Sequence, residues 1–254
     1  MSATLTRAVT LAAAIMVSTS MAHAAELKVL SSNAIKEAYL ELVPGFEKAT
    51  EHKVATVWAG TNDILKRMQA GESYDLVIMA GPALDGLIKQ GKIVPGSRVD
   101  LVKSGVGVAV RAGAPRPDIS SGEALKRALL AAKSVGYSQG PSGVYIESLF
   151  QRLGIADALK PKSKQTQPGN PVGVLIARGE AEIGFQQVSE LIHVPGVAFV
   201  GTIPAELQEE TFFSAALATA VKQREGAEAL IRFLASCEAA SAISEAGLTP
   251  LAGR

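Results

Sequence analysis

Turns of small residues or amide side chains recur where a predicted strand ends and a predicted helix begins. The five segments are Ser31-Ser32-Asn33-Ala34, Gly60-Thr61-Asn62, Ala80-Gly81, Gly140-Pro141-Ser142-Gly143 and Gly169-Asn170. The first N–H groups of a helix have no partner within the helix and carry a partial positive charge. Several such ends around one cleft can bind an anion without a lysine or arginine. Each segment alone is also an ordinary cap or turn, so the predicted anion site depends on the set.

Residues that could perform covalent or acid–base catalysis are harder to find. Beyond the first 24 residues the histidines are His52 and His193, and neither lies near a G-x-S-x-G nucleophile turn. We interpret both as surface histidines. Carboxylates are plentiful, so acid–base chemistry on a small acid stays an alternative. The sequence predicts a protein that is not an enzyme, and the enzymatic alternative requires a carboxylate or histidine in the cleft.

Metal and cofactor motifs are weak. The pair Glu209-Glu210 comes nearest to a cluster of metal ligands, and we interpret it as a solvated charge pair. The segment Gly105-Val106-Gly107 lies within an apolar strand and has no helix after it to receive a pyrophosphate. The sequence predicts no metal ion and no cofactor.

The first 24 residues have the pattern of a secretory signal peptide. Arg7 is the only charged residue before Glu26, and an apolar, alanine-rich run follows it. The small-residue exit Ala22-His23-Ala24 resembles a cleavage site. The apolar run is shorter than the roughly 18 residues that a membrane span needs. We predict a signal peptide over 1–24 and a protein released into the periplasm.

Composition restricts the partners. The chain has 25 Lys and Arg against 24 Asp and Glu, and removal of Arg7 leaves 24 against 24. A protein without excess positive charge has no field to hold nucleic acid, so we predict a small anionic ligand and no nucleic acid partner. We also expect a monomer. The single Cys237 lies in an apolar stretch and is interpreted as a small buried residue.

Strand and helix patterns alternate twice along the chain. Three successive βα units precede residue 92, which predicts parallel strands joined by right-handed crossovers. A helical pattern over 35–46 contains Pro44, which is expected to bend or interrupt it. A second set of α/β elements occupies 106–200, and a long extended stretch from Thr211 can return the chain to the first unit.

This order predicts an α/β fold of two lobes with a cleft between them. Lobe I comprises 26–104 with 214–254, and lobe II comprises 105–213. Each lobe should contain a mixed or parallel sheet flanked by helices. Because no flexible linker separates the lobes, crossing extended strands should form the hinge.

The sequence resembles the periplasmic molybdate-binding proteins of ABC importers, which are type II periplasmic binding proteins. The resemblance covers nearly the whole chain after the signal segment. Its strongest carriers are Lys28-Val-Leu-Ser-Ser-Asn-Ala-Ile35, Ala59-Gly-Thr-Asn-Asp-Ile-Leu65 and Gln69-Ala-Gly-Glu-Ser-Tyr-Asp-Leu-Val-Ile78, followed by Pro141-Ser-Gly-Val-Tyr145 and Arg178-Gly-Glu-Ala-Glu-Ile-Gly-Phe185. The resemblance implies an exported solute-binding protein that delivers a molybdate-like oxyanion to a membrane permease.

The resemblance also implies where the ligand would bind. The serine of the family's first loop falls at Ala34 and the closing tyrosine falls at Gln187, so both of these hydroxyls are missing. Thr61 keeps the hydroxyl of the second loop. The site residues predicted on this basis are Ser32, Asn33, Thr61, Ser142, Gly143, Gly169 and Gln187.

The two replaced positions leave the ligand open. A tetrahedral dianion needs only donors, whereas the amides of Asn33 and Gln187 can also accept hydrogen bonds from a hydroxylated or partly protonated organic acid. A small di- or tricarboxylate is therefore the alternative ligand. Delivery to a sensor and turnover by an extracellular enzyme are the alternative functions.

Overall fold

The computed structural model describes residues 26–167 and 170–251, so the predicted signal peptide at 1–24 lies outside the described residues. The strands are β1 (Glu26–Ser32), β2 (Lys53–Ala59), β3 (Leu76–Ala80), β4 (Val99–Ser104), β5 (Val106–Arg111), β6 (Val135–Tyr137), β7 (Ser163–Gln165), β8 (Ile183–Gln187), β9 (Val197–Thr202), β10 (Thr211–Leu217) and β11 (Thr249–Pro250). They form two mixed sheets flanked by helices, as predicted.

The helices connect and cover these strands. They are α1 (Lys36–Thr50), α2 (Thr61–Gln69), α3 (Gly81–Lys89), α4 (Gly122–Ala131), α5 (Pro141–Arg152), α6 (Ala156–Leu159), α7 (Val172–Ala177), α8 (Arg224–Leu234) and α9 (Ala240–Glu245). Short 3₁₀ turns lie at Asn33–Ile35, Lys160–Lys162, Val188–Glu190, Ala205–Leu207 and Cys237–Ala239. Within 26–167 and 170–251, no helix combines the length and apolar character that crossing a membrane requires.

The first sheet has six strands in the order β11-β4-β10-β3-β1-β2. The pairs β1–β2 and β1–β3 are parallel, which confirms the predicted βα units, and β10 lies antiparallel between β3 and β4. Every residue of β3 is buried, as its continuous apolar sequence predicted for a central strand covered on both faces.

The second sheet has five strands in the order β7-β6-β8-β5-β9. Strands β6, β7 and β8 run parallel, and β5 lies antiparallel between β8 and β9. Both sheets therefore place the carboxyl ends of their parallel strands on one edge, where each chain segment turns into a helix.

Two segments connect the sheets. The chain passes from β4 to β5 through Gly105 and returns from β9 to β10 through residues 203–210. This is the crossing-strand connection that the long extended stretch predicted. The lobe boundaries at 104/105 and 213/214 stay a prediction.

Two local predictions were wrong. Pro44 does not interrupt α1, which is continuous from Lys36 to Thr50. Pro44 lies on the exposed side of the helix, so the carbonyl group of Leu40 that loses its N–H partner faces solvent. Cys237 is exposed rather than buried, because it begins a surface 3₁₀ turn whose buried residue is Ala239.

Asp75 fastens the returning chain to the first sheet. Its buried carboxylate accepts hydrogen bonds from the backbone N–H groups of Lys28 at 2.9 Å, Lys222 at 2.7 Å and Gln223 at 3.0 Å. One side chain thus ties β1 to the segment that leads into α8. A carboxylate with three such donors is well compensated for its burial.

We expect Asp75→Asn to lower the free energy of unfolding by about 1.5–3 kcal/mol, because an amide nitrogen would face backbone donors and a charged hydrogen bond would be lost. Chemical denaturation monitored by circular dichroism measures this change. Asp157→Asn, at an exposed position, is the matched control and should change stability by less than about 0.5 kcal/mol. Equal stability of both variants would contradict the role assigned to Asp75.

Candidate functional site

A cavity of 620 Å³ lies between the two sheets and is lined by residues from both. The carboxyl ends of β1, β2, β6 and β8 all open onto it, since Ser32, Gly60, Ser138 and Gln187 are among its lining residues. Open α/β sheets generally bind ligands at this edge. The predicted convergence of strand-to-helix turns on one cleft is therefore observed for the turns at Ser32, Gly60 and Gly140 and for Asn170, whereas the turn Ala80-Gly81 does not line the cavity.

The wall from the first sheet presents two hydroxyls. Ser32 Oγ accepts a hydrogen bond from Ala34 N at 3.3 Å, a bond that leaves the hydroxyl hydrogen unused. Thr61 is the first residue of α2 and is 6 % exposed, and within 26–167 and 170–251 its Oγ1 has no hydrogen-bond partner. Asn33 and Ala34 complete this part of the wall.

The facing wall is built around the start of α5. Ser142 Oγ lies 3.1 Å from Ser138 Oγ, and Ser138 Oγ also accepts from Gly140 N at 3.2 Å. Gly143 is not among the lining residues. A Cβ at Gly143 would stand 1.6 Å from the carbonyl oxygen of Ser138, so glycine is required there for the close packing of helix against strand end.

Gln187 reaches the cavity, but its amide is engaged at the hinge. Oriented by its hydrogen-bond network, the amide nitrogen donates to Ser104 O at 3.2 Å, Ser104 Oγ at 3.1 Å and Gly105 O at 3.2 Å, and the amide oxygen accepts from Thr211 Oγ1 at 3.0 Å. Gln187 is 1 % exposed. The side chain at the position of the family's closing tyrosine thus holds together the strands that cross between the sheets.

Five of the seven predicted site residues therefore line the cavity. They are Ser32, Asn33, Thr61, Ser142 and Gln187. Gly143 lies behind the wall, and Gly169 lies outside the described residues. That the five contact a ligand stays a prediction.

A second unpartnered hydroxyl belongs to a residue that the sequence did not single out. Ser189 follows β8, is 5 % exposed, lines the cavity, and its Oγ has no hydrogen-bond partner among the described residues. A buried hydroxyl without a partner costs about 1–3 kcal/mol. Thr61 Oγ1 and Ser189 Oγ, one from each wall, would recover that cost by binding a polar ligand.

Glu190 is the other residue that sequence reasoning missed. Its carboxylate lines the cavity, and its Oε1 accepts a hydrogen bond from Gln186 Nε2 at 2.9 Å. Burial raises the pKa of Glu190 to about 7, against the smaller opposite effect of the Gln186 bond. A carboxyl group with this pKa can gain or lose a proton near neutral pH.

Gln186 is itself fixed. Its Oε1 accepts from Val172 N, at the start of α7, at 2.7 Å. Because the amide oxygen is committed to Val172, the amide nitrogen must face Glu190. The only sequence signal for this pair was its place directly after an apolar strand, and hydropathy cannot show that a carboxylate there is desolvated.

Other charged groups stand around the cavity. Lys36, Glu37, Asp63, Lys66 and His193 line it. Lys66 pairs with Asp63 at 3.7 Å, and Lys36 Nζ lies 5.9 Å from the ring centroid of Trp58. His193 is exposed, as its interpretation as a surface residue predicted, and it stands at the rim. In the parts of the chain that the structure describes, no cluster of His, Cys, Asp or Glu could hold a metal ion.

One hydrogen bond joins the walls across the mouth of the cavity. Asn62 Nδ2 on α2 donates to Gln139 O at 3.0 Å. Both residues are lining residues, so the bond narrows the entrance. The two sheets are thereby in contact at the hinge and at the opposite, open side.

We expect Thr61→Val and Ser189→Ala to leave the free energy of unfolding unchanged or slightly higher, because no hydrogen bond is lost in the free protein. Ligand affinity should fall about tenfold or more, because a buried ligand oxygen loses its donor. Calorimetric titration with molybdate or with citrate, whichever binds the wild type, measures affinity. Ser236→Ala is the matched control, because Ser236 Oγ is also buried without a partner but does not line the cavity. A loss of affinity in the control as large as in the two variants would contradict the assignment.

Comparison with known proteins identifies the family. The family model for bacterial extracellular solute-binding proteins matches residues 27–249. A molybdate-binding protein of Azotobacter vinelandii is 27 % identical over 89 % of this chain and 90 % of its own. The solved periplasmic molybdate-binding protein of that organism superposes with a TM-score of 0.74 at 20 % identity, over 88 % of this chain and 98 % of that one. The predicted type II periplasmic binding protein fold and the predicted resemblance are confirmed.

The prediction that the chain is not an enzyme was wrong. A protein of a Pseudomonas species named aconitate isomerase is 43 % identical over 231 residues, which are 89 % of this chain and 88 % of that one. The sequence argument rested on the lack of a histidine-centred nucleophile motif, and it could not see a desolvated carboxylate in the cleft. Both this relative and the molybdate-binding proteins align over nearly the full chain, which belongs to the bacterial extracellular solute-binding protein family.

Proposed function

We propose that this protein is an isomerase of a small unsaturated tricarboxylic acid of the aconitate type, acting in the cleft between the lobes. The observation that carries the proposal is the 43 % identity to aconitate isomerase over 89 % of the chain. The enzymatic alternative requires a carboxylate or a histidine in the cleft, and the carboxylate of Glu190 lines it.

The cavity suits an acid with several carboxylates. At 620 Å³ it is far larger than a single tetrahedral oxyanion requires. Donors stand on both walls, with Thr61 and Ser32 on one and Ser142 and Ser189 on the other. The helix starts at Thr61 and Pro141 add N–H groups with partial positive charge, which favour carboxylates.

The lysines at the cavity supply part of the positive charge, although Lys66 already pairs with Asp63 at 3.7 Å. Lys36 and Lys66 both belong to the wall from the first sheet. A ligand with three negative charges needs more compensation than helix termini alone provide. These two ammonium groups would also draw an anion toward the cleft, in a manner that salt weakens.

The reaction requires no cofactor. In an acid of this type a methylene group and a double bond are neighbours. Removal of a proton from the methylene carbon and return of a proton to the far alkene carbon moves the double bond by one position. One C–H bond breaks, one forms, and no atom is oxidised or reduced. The geometry of the new double bond is set by the conformation about the former methylene–alkene single bond when the proton leaves, so either geometric isomer can form.

Capture of a molybdate-like oxyanion for an ABC importer is the second candidate. The 27 % identity to a molybdate-binding protein and the retained hydroxyl of Thr61 favour it. The half-buried carboxylate of Glu190 disfavours it, because a tetrahedral dianion needs donors only. Capture of a carboxylate for an importer or a sensor would use the same lining residues. The same ligand measurements test this function and the capture of an oxyanion.

The proposed setting is the periplasm, reached through a signal peptide over 1–24. The family name and the pattern of the first residues support this location. A monomer with a small anionic ligand, and with an ABC permease where transport accompanies binding, is the proposed partnership.

We expect the purified protein to convert either geometric isomer of aconitate to the same equilibrium mixture, because an isomerase changes rates only. Proton NMR of the vinyl and methylene signals follows the conversion. Tricarboxylates should also raise the melting temperature by several degrees, since a ligand at about a hundred times its Kd stabilises by roughly 2.7 kcal/mol.

Molybdate, tungstate, sulfate and phosphate serve as the comparison series in the thermal measurement. A shift with molybdate or tungstate and none with any tricarboxylate, together with no isomerisation, would establish the second candidate instead.

A further inference from the structure

Glu190 occupies a distinct position among the charged residues of the cavity. Glu37 and His193 are exposed, and Asp63 is paired with Lys66 at 3.7 Å. Glu190 is instead held by the neutral donor Gln186 Nε2 at 2.9 Å and is surrounded by buried polar residues. Of these groups it alone combines a desolvated carboxylate with a fixed orientation.

We propose that Glu190 is the catalytic acid–base of the cleft and that Gln186 is its positioning residue, an inference that rests on the proposed isomerisation. The Glu190 carboxylate takes a proton from the methylene carbon of the bound acid, and the electron pair of that C–H bond enters the adjacent allyl system. The resulting carboxylic acid returns a proton to the far carbon. The residue thus begins and ends each turnover as a carboxylate.

The position of the carboxylate in the chain supports this role. Glu190 closes the 3₁₀ turn Val188–Glu190 directly after β8, so the sheet fixes its backbone. Ser189, the residue before it, carries one of the two unpartnered hydroxyls of the cavity. A substrate carboxylate that accepts a hydrogen bond from Ser189 Oγ would lie beside the proposed base, because Ser189 and Glu190 are adjacent in the chain.

Gln186 adjusts the base as well as orienting it. Its N–H donation favours the charged form of Glu190 and lowers its pKa, while burial raises that pKa to about 7. Because Val172 N holds Gln186 Oε1 at 2.7 Å, the amide cannot turn to offer its oxygen instead. The start of α7 is therefore connected to the protonation of the base through one side chain.

Few charged side chains surround Glu190. Lys36 and Glu37 follow the 3₁₀ turn Asn33–Ile35 that packs against it, and Asp63, Lys66 and His193 complete the charged lining of the cavity. The start of β5 packs behind it with the uncharged residues Val106 and Gly107, and Glu245 lies two positions before Gly247, which packs on Val188. Among residues 26–167 and 170–251, none of these charged groups is hydrogen-bonded or ion-paired to Glu190.

The test compares wild type with Glu190→Gln in aconitate isomerisation followed by NMR in D₂O. We expect kcat to fall by about 10²–10⁴-fold, as for loss of a general acid–base, and deuterium transfer from solvent to the substrate carbon to stop. Affinity for aconitate, measured by calorimetry, should be retained, because the amide keeps the shape of the carboxylate. Glu180→Gln, at an exposed position that forms an ion pair with Arg178 at 4.0 Å, should behave as wild type.

Two failures are distinguishable. No isomerisation by the wild type overturns the proposed function and the inference together. Isomerisation by the wild type that Glu190→Gln retains within about threefold overturns only the role of Glu190. If Glu190→Gln does not fold, the pH profile of the wild type decides: kcat/KM should rise with pH and level off above about 7, and a flat profile overturns the role.

Gln186→Met tests the positioning role. Loss of the N–H donor should move the midpoint of the kcat/KM profile to higher pH, since the donor lowers the pKa of Glu190. A merely structural role would lower activity without moving the midpoint, and that result would overturn the assignment of Gln186. Circular dichroism confirms that the variant is folded.

Discussion

A polar group that is buried must find a partner, and this requirement determines how the two sheets are joined. The crossing strands leave both sheets near Gly105, where the ladders no longer supply all the partners. Two glutamines supply them instead. Gln208 accepts from Val106 N at 3.0 Å and donates to Val106 O at 3.1 Å. Gln187 spans Ser104, Gly105 and Thr211 with the remaining bonds. Each amide offers both a donor and an acceptor, so each can replace a missing strand. The hinge is held by directional bonds, and the separation of the cleft walls depends on it.

Two hydroxyl groups in the cleft do not meet this requirement. Thr61 Oγ1 and Ser189 Oγ are buried and unpaired, on opposite walls of one cavity. Each costs stability in the free protein, and a bound anion would offset that cost. The bond between Asn62 and Gln139 already joins the two walls in this structure. The stability that the two unpaired hydroxyls cost the free protein would therefore favour the liganded state.

Local signals in the sequence predicted much of this arrangement. The apolar run of β3 and the glycine and hydroxyl turns at Gly60-Thr61 and Gly140-Pro141 specify their structure within a few residues, so pattern alone located them. Strand β4 was missed because its residues 99–104 alternate imperfectly and gain their burial from β10, more than a hundred positions later. The role of Gln187 was missed for the same kind of reason. Its partners Ser104 and Thr211 are distant in sequence, and an amide at a position equivalent to a ligand-contacting tyrosine gives no local sign that it serves the hinge.

Glu190 places an ionisable carboxyl group in the cleft, and its burial lowers the stability of the folded protein at neutral pH. Its folded pKa of about 7 lies above the ordinary glutamate value of 4.5, so the folded state binds the proton more tightly than the unfolded chain. The free energy of unfolding therefore decreases as pH rises from about 4.5 to 7, and the loss persists above that range. The ionised carboxylate of Glu190 would repel a tetrahedral dianion. Removal of a proton from carbon, in contrast, requires a base such as this carboxylate. In the proposed isomerisation, a bound tricarboxylate would raise the pKa of Glu190 further through like charge and make its carboxylate a stronger base. Lys36 and the helix starts would oppose that repulsion. In the proposed function, the carboxylate of Glu190 is the group that distinguishes proton transfer from simple capture of an anion.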